Sequence, residues 1–535
     1  MTFFNAYLHL YVLFVLGTLT SSGPTSSDYI DLGYAKHSVT TTNATARGHK
    51  INIYKNIRFA QPPTGDLRFK WPQQPVHHDG IQNGTLAHGS TCISSAPAYV
   101  PFPPFNGTHF GSEDCLFLDV YVPQSVKAAD KVPVLHWLYG SAYAFGGKDY
   151  FSNPMGLFDE LLSNERPFVF VTSNYRMGLY GFASSPYEEG MDPNIGLADG
   201  RMALEWTQKH IDKFGGNPKD VTAVGQSAGS GIAEMIIAES KYRQVPFQRA
   251  FLSSSALPLK RNVTARREEV YQTMLELSNC TSLACLKRLS EAELSDVNNI
   301  MVTKMPNYAG GGCYGPGMGF APFVDKKTVH DLTTVTLSDQ HGGDGLKGLI
   351  MSNMQNEAST LSSDSNMPEA FPSLVRRILP SASNVTIATI HSFYRYPPSL
   401  PEKLAWDWTG DAVFFCHALA MIGKYGGRAR KYVMSIPPAV HGQDLSYSFY
   451  PNFPLGFDVD EGTARGLQQL LGDFMYGRPL EFNGIGGERL QWHSFGNDAA
   501  ILNITANRFE MDTTVEDVER CRKVNAIMMD EKNGI

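Results

Sequence analysis

Short, almost uninterrupted apolar runs alternate along this chain with longer amphipathic stretches. The clearest run is Val132-Pro-Val-Leu-His-Trp-Leu138, in which His136 is the one polar residue. A run of that length reads as a strand buried on both faces. Residues 168–173, 249–253, 346–351 and 429–436 have the same character, and 116–122 alternates as a strand. Between them, 197–214 places Leu204, Thr207, Ile211 and Phe214 on one stripe before Gly215-Gly216, which predicts a helix and its end. Residues 229–239, 266–277 and 401–425 also read as helices. The segment 27–90 reads as short strands and turns, with 51–54 alternating weakly and Ala60-Gln-Pro-Pro-Thr-Gly-Asp66 as turn chemistry. Cys92 to Cys115 encloses a Pro-rich stretch with Tyr99, Phe102, Phe105 and Phe110, either a loop that covers something or a packed irregular loop. Alternating strands and helices predict an α/β fold: a large, mostly parallel central sheet with helices on both faces. Sites in such sheets form at the carboxyl ends of the strands.

One strand end carries chemistry. Val221-Thr-Ala-Val224 runs into Gly225-Gln226-Ser227-Ala228-Gly229, a G-x-S-x-G elbow, and a helical pattern follows. In that setting a Ser sits on a strained strand-to-helix turn with its hydroxyl above the sheet. Glycine content alone would supply on the order of 0.4 chance matches in such a chain. The strand and helix on either side are what give the motif weight.

A Ser hydroxyl needs a base, and a carboxylate to orient that base. On this scaffold they follow in the order Ser, acid, His. Downstream histidines are His330, His341, His391, His417, His441 and His493. His441 stands out in Pro437-Pro-Ala-Val-His-Gly-Gln-Asp444, a loop after a strand. Glu357 follows the 346–351 strand, and Asp325 is its rival for the acid. Acyl transfer also needs backbone N–H groups where negative charge develops. The N–H of Ala228 is one candidate donor, and Tyr139-Gly-Ser-Ala-Tyr143 is the candidate loop for the others.

Composition narrows the partners. The 535 residues are 42% hydrophobic, with a net charge of −7 and scattered Lys and Arg. That leaves no basic patch for nucleic acid. Residues 6–19 form an apolar run broken by His9, followed by small polar residues. The pattern predicts a signal peptide over 1–22, a single domain over 23–535, and secretion with no membrane span retained. Sequons at Asn43, Asn83, Asn106, Asn262, Asn279, Asn384 and Asn503 point the same way. Seven cysteines allow three disulfides and leave one over, and Cys280 and Cys285 are close enough for a local loop. No metal or organic cofactor is implied.

With these residues assembled, the chain resembles the type-B carboxylesterase/lipase family, which includes cholinesterases and fungal lipases, from about residue 29 to 524. Phe214 to Gly229 matches the nucleophile signature, with Ala223 for a larger aliphatic and Gln226 for the frequent Glu. Glu113-Asp-Cys-Leu-Phe-Leu-Asp-Val-Tyr-Val-Pro123 matches a second signature. Asn174-Tyr-Arg-Met-Gly178, Asn194-Ile-Gly-Leu-Ala-Asp-Gly-Arg201 and Pro62-Pro-Thr-Gly-Asp-Leu-Arg-Phe69 also resemble family segments. Asn356-Glu357-Ala-Ser resembles D-E-G-[ST], with Ala358 for Gly, and His441-Gly-Gln-Asp444 resembles H-G-x-[DE]. The resemblance implies an α/β-hydrolase fold and ester hydrolysis with Ser227 as nucleophile, His441 as base and Glu357 as orienter. It implies disulfides Cys92–Cys115, Cys280–Cys285 and Cys416–Cys521, with Cys313 free. Where relatives carry G-G-G or G-G-A in the oxyanion loop, this chain has Gly140-Ser141-Ala142; Ser141, Ala142 and Ala228 are the implied donors. The expected substrate is a small-molecule or lipid ester. The competing expectation is a binding or adhesion protein on the same fold, a role associated with loss of a triad residue.

Overall fold

A computed structural model describes residues 29–534 except 97–106, 151–152, 262, 306–319, 339–344, 363–366, 454, 484–486, 497 and 507. The expected leader over 1–22, the sequons at Asn106 and Asn262, His341, Cys313 and the centre of the Pro-rich loop lie outside the described residues.

Eleven strands form the main sheet. In chain order they are β1 (Thr41–Ala44), β2 (Lys50–Arg58), β3 (Phe117–Pro123), β4 (Val132–Leu138), β5 (Val169–Ser173), β6 (Gly216–Gln226), β7 (Arg249–Ser253), β8 (Gly348–Met354), β9 (Ala429–Met434), β10 (Ala500–Thr505) and β11 (Arg508–Thr513). Their spatial order is β1-β2-β3-β5-β4-β6-β7-β8-β9-β10-β11. The run from β5 to β10 is parallel, and β1, β2, β3 and β11 pair antiparallel at the two edges. Every residue of β4, β5 and β8 is buried, which is why these strands read as continuous apolar runs. Sequence reasoning missed β10 and β11, because polar Asn503, Glu510 and Asp512 interrupt their half-buried pattern.

The helices that matter for the site are α1 (Ile195–His210), α2 (Ala228–Ala238), α3 (Thr264–Leu277), α4 (Lys403–Gly410), α5 (Cys416–Tyr425), α6 (Glu461–Met475) and α7 (Val515–Met529). On one face of the sheet Phe251 of β7 meets Phe474 of α6, with ring centroids 6.3 Å apart. Helix α2 packs on β6 and β7, α5 packs on β8 and β9, and α7 packs on α5. The single helix expected over 401–425 is interrupted. A π-turn at Asp411–Phe415 separates α4 from α5. That turn delivers the buried Asp411 carboxylate to Arg520 of α7 and to the Tyr394 hydroxyl. Local periodicity does not report such an insertion, which serves a tertiary contact.

Disulfides join Cys92 to Cys115, Cys280 to Cys285 and Cys416 to Cys521. The last ties α5 to α7. Asp411, Cys416 and Cys521 are close enough together for a metal site, but the two sulfurs are in this disulfide and the carboxylate is held by Arg520. Among the described sequons, Asn43, Asn83, Asn279 and Asn384 are exposed. Asn503 is half-buried in β10, where its side-chain oxygen accepts a hydrogen bond of 2.7 Å from Ser435. No helix among the described residues is long and apolar enough to cross a membrane. The layers, the parallel core and the helix-covered faces make this an α/β-hydrolase fold.

Candidate active site

The turn between β6 and α2 holds Ser227 at φ 55° and ψ −123°. A side chain at this backbone geometry costs energy that surrounding contacts must offset. Those contacts are present: the Ser227 N–H donates to Ser253 O at 2.9 Å, and its carbonyl accepts from Gly231 and Ala256. The two glycines are needed for close approach. A Cβ on Gly229 would lie 2.1 Å from Leu138 O, and one on Gly225 would lie 2.7 Å from Ser230 N.

Two loops after neighbouring strands complete a hydrogen-bonded chain. His441 Nε2 lies 2.9 Å from Ser227 Oγ, and His441 Nδ1 makes a short hydrogen bond with Glu357 Oε1. Glu357 Oε2 accepts from Ser254 Oγ at 2.9 Å and from the Met354 N–H at 2.7 Å. Both carboxylate oxygens are therefore engaged, which fixes the plane that faces the imidazole. Phe414 packs on the His441 ring at 5.0 Å. Ser227, His441 and Glu357 are all buried. The rival acid Asp325 is occupied elsewhere, binding Asn194 and the N–H groups of Lys327, Thr328 and Val329. His330 pairs with Glu239 and His417 with Glu234. Ala358, the looser match beside the acid, is not among the residues of positive φ, so its methyl group imposes no backbone strain.

The loop after β4 differs. Ser141, Ala142 and Tyr143 have φ of 149°, 52° and 58° in succession. Glycines would occupy such a path freely, whereas an L-residue there costs roughly 1–2 kcal/mol. The path is held by Tyr143 OH donating to Ala256 O at 2.7 Å and by Gly178 N–H donating to Tyr143 O at 2.8 Å. Among the described residues, the N–H groups of Ser141, Ala142 and Ala228 have no protein acceptor. Ala228 is the first residue of α2, where an N–H has no helical partner. Ala142→Gly is expected to hold or raise stability, because relief of strain exceeds the roughly 0.5–1 kcal/mol of added chain entropy. A thermal midpoint at or above that of wild type is the expected reading; a drop of several degrees would contradict it.

Three features beside the triad make pairings that the sequence alone did not indicate. Gln226 reaches the same ring nitrogen as Ser227, with its Nε2 3.2 Å from His441 Nε2. Beneath the elbow, Glu234 of α2 accepts from Ser255 Oγ at 2.5 Å and pairs with His417 Nδ1 at 2.7 Å, while His417 Nε2 lies 2.9 Å from Val413 O. Both ring nitrogens thus face oxygen acceptors, which suits an imidazolium. Burial pulls the His417 pKa down, but Glu234 and the hydrogen bonds outweigh it and the net shift is upward.

The third feature is Asp444, fully buried, with Oδ1 lacking a hydrogen-bond partner and Oδ2 at 3.4 Å from Tyr432 OH. Burial, and then the charge of Glu357, push its carboxyl up to about 6. A carboxyl raised in the folded state stabilises below its unfolded pKa, and that contribution is lost as pH climbs toward the folded value. The window is therefore about pH 4 to 6. Between pH 4 and pH 8, Asp444→Asn should gain stability over wild type by up to about 3 kcal/mol. Denaturant unfolding at the two pH values measures this; a constant difference between the proteins would contradict it.

The carboxylesterase family model matches residues 38–521. Carboxylesterase patB of Aspergillus clavatus is 31% identical, over 85% of this chain and 89% of its own length. The inactive carboxylesterase-like protein VdtD of Byssochlamys spectabilis is 28% identical, over 67% of this chain and 64% of its own length. The crystal structure of Aspergillus niger EstA superposes with a TM-score of 0.78 at 22% identity, covering 94% of this chain and 99% of EstA, which is a likeness of fold. Matched over most of its length, the chain belongs to the carboxylesterase family and is a carboxylic ester hydrolase.

Proposed function

We propose that the protein is a secreted serine hydrolase of small or lipid carboxylic esters, working through an acyl-enzyme on Ser227. The observation that carries the reading is the continuous chain from Ser227 Oγ to His441 Nε2 and from His441 Nδ1 to Glu357. His441 takes the Ser227 proton as Oγ bonds to the ester carbonyl carbon. The carbonyl oxygen becomes an oxyanion facing the N–H groups of Ser141, Ala142 and Ala228. Collapse breaks the bond to the alcohol, which leaves with the proton held on His441. A water then gives its proton to His441 and attacks the acyl carbon, releasing the carboxylic acid and restoring Ser227. Glu357 keeps Nδ1 protonated throughout and balances the imidazolium.

Retention of all three side chains weighs against a binding protein that has lost catalysis. Secretion is supported by the apolar leader over 1–22, three disulfides and four exposed sequons. Wild-type protein is expected to hydrolyse chromogenic short-chain esters well above the buffer rate. A panel of acyl lengths measures both the activity and its preference. Release at the buffer rate across the panel would overturn the reading.

A further inference from the structure

On the side of the sheet away from Phe251 lies a charged cavity. Strand residues alternate faces. Tyr432 of β9 lies with Phe251, their rings 5.8 Å apart, so Lys431 points the opposite way, toward α5 and α7. There its ammonium donates to the side-chain oxygen of Asn353 on β8. A cavity of about 540 Å³ is lined by Lys431, Asn353, Arg520 and residues of α4 and α5. That is the size of a small-molecule site.

The charges around it are unequal in their partners. Lys403 is engaged by both oxygens of Asp407 at 2.6 Å. Arg520 is shared between Asp411 and Asp517. Lys431 is only 5% exposed, and among the described residues no carboxylate is in ion-pair contact with it. A buried cation without a counter-ion is a costly arrangement. Burial pulls its pKa down to about 8, opposed by the more distant Asp517 and Glu357, so the group still carries its proton at neutral pH. Arg395 adds a second positive charge at the exposed rim. Phe393, Leu419 and Val433 supply an apolar wall. Two carboxylates also line the cavity, Asp407 paired with Lys403 and Asp517 with Arg520, so the cavity presents an unpaired cation at its floor and hydrocarbon along its side, and this cluster lies outside the Ser227 machinery.

We propose that this cavity binds a small organic monocarboxylate, with its charged end on Lys431 and its hydrocarbon body against Phe393, Leu419 and Val433. Ester hydrolysis releases molecules of this class, so the ligand matches the reaction's own acid product; that link, unlike the binding, rests on the hydrolase reading. Inorganic phosphate satisfies the charge but has nothing to place on the apolar wall.

The test is calorimetric titration of hexanoate into the full chain carrying Ser227→Ala, so that neither result depends on turnover. Hexanoate should bind, and Lys431→Met should weaken it by at least about tenfold, the size of one charged hydrogen bond. Val433→Trp fills the cavity without changing charge and should weaken binding similarly, which keeps the test decisive if the Lys431 variant fails to fold. Inorganic phosphate should bind at least about tenfold more weakly than hexanoate. No hexanoate binding, binding unchanged in a folded variant, or phosphate binding as tight as hexanoate would each overturn the proposal.

Discussion

Ser227→Ala is expected to lower kcat by about 10⁶-fold on any ester the protein hydrolyses, with the fold intact. In the proposed mechanism this hydroxyl bonds to the acyl carbon, so its removal takes away the acyl-enzyme itself. The elbow is held by backbone contacts of Ser227 to Ser253, Gly231 and Ala256, none of which needs Oγ. His441→Gln should cost about as much. A pair that acts as a unit is grossly non-additive, so the double variant should be little worse than either single one. Steady-state rates of the three proteins, with circular dichroism as the folding control, check this. Losses that multiply in the double variant would mean that the two side chains act separately.

Glu357→Gln should lower kcat by about 10⁴-fold, a loss out of proportion to so small a change. Glu357 Oε2 accepts from Ser254 and from the Met354 N–H, both donors. A glutamine keeps those bonds by placing its oxygen there, which turns its NH₂ toward His441 Nδ1. The ring then carries its proton on Nε2, aimed at Ser227 Oγ, and no longer accepts the hydroxyl proton. Ser254→Ala leaves the carboxylate in place and should cost only about 10- to 100-fold. Rates within tenfold of wild type for Glu357→Gln would contradict the orienting role.

The fold was legible wherever burial leaves a strong trace. β4 and β7 fall where the apolar runs placed them, because a strand buried on both faces has little room for polar residues. The elbow was legible because close approach to Leu138 leaves only glycine at position 229. β10 and β11 escaped because strands near the sheet edge tolerate polar residues such as Asn503 and Glu510. For the site, the local loops pointed to His441 and gave Glu357 a lead over Asp325, the family resemblance implied Glu357, and the hydrogen bonds of Asp325 show it engaged elsewhere. His417 was one histidine among six until folding brought Glu234, 183 residues earlier in the chain, to its ring. The left-handed path through Ser141 and Ala142 is also invisible in residue type, since neither side chain favours it. Long-range pairings and backbone strain are set by the tertiary structure, and a local pattern does not encode them.

The central claim is that Ser227 is the nucleophile activated by His441. A fluorophosphonate probe, followed by peptide mass mapping, tests it most directly. The account predicts stoichiometric phosphonylation on the peptide containing Ser227, lost in Ser227→Ala and strongly slowed in His441→Gln. Absence of an adduct, or an adduct on a neighbouring serine such as Ser230 or Ser255, would contradict it.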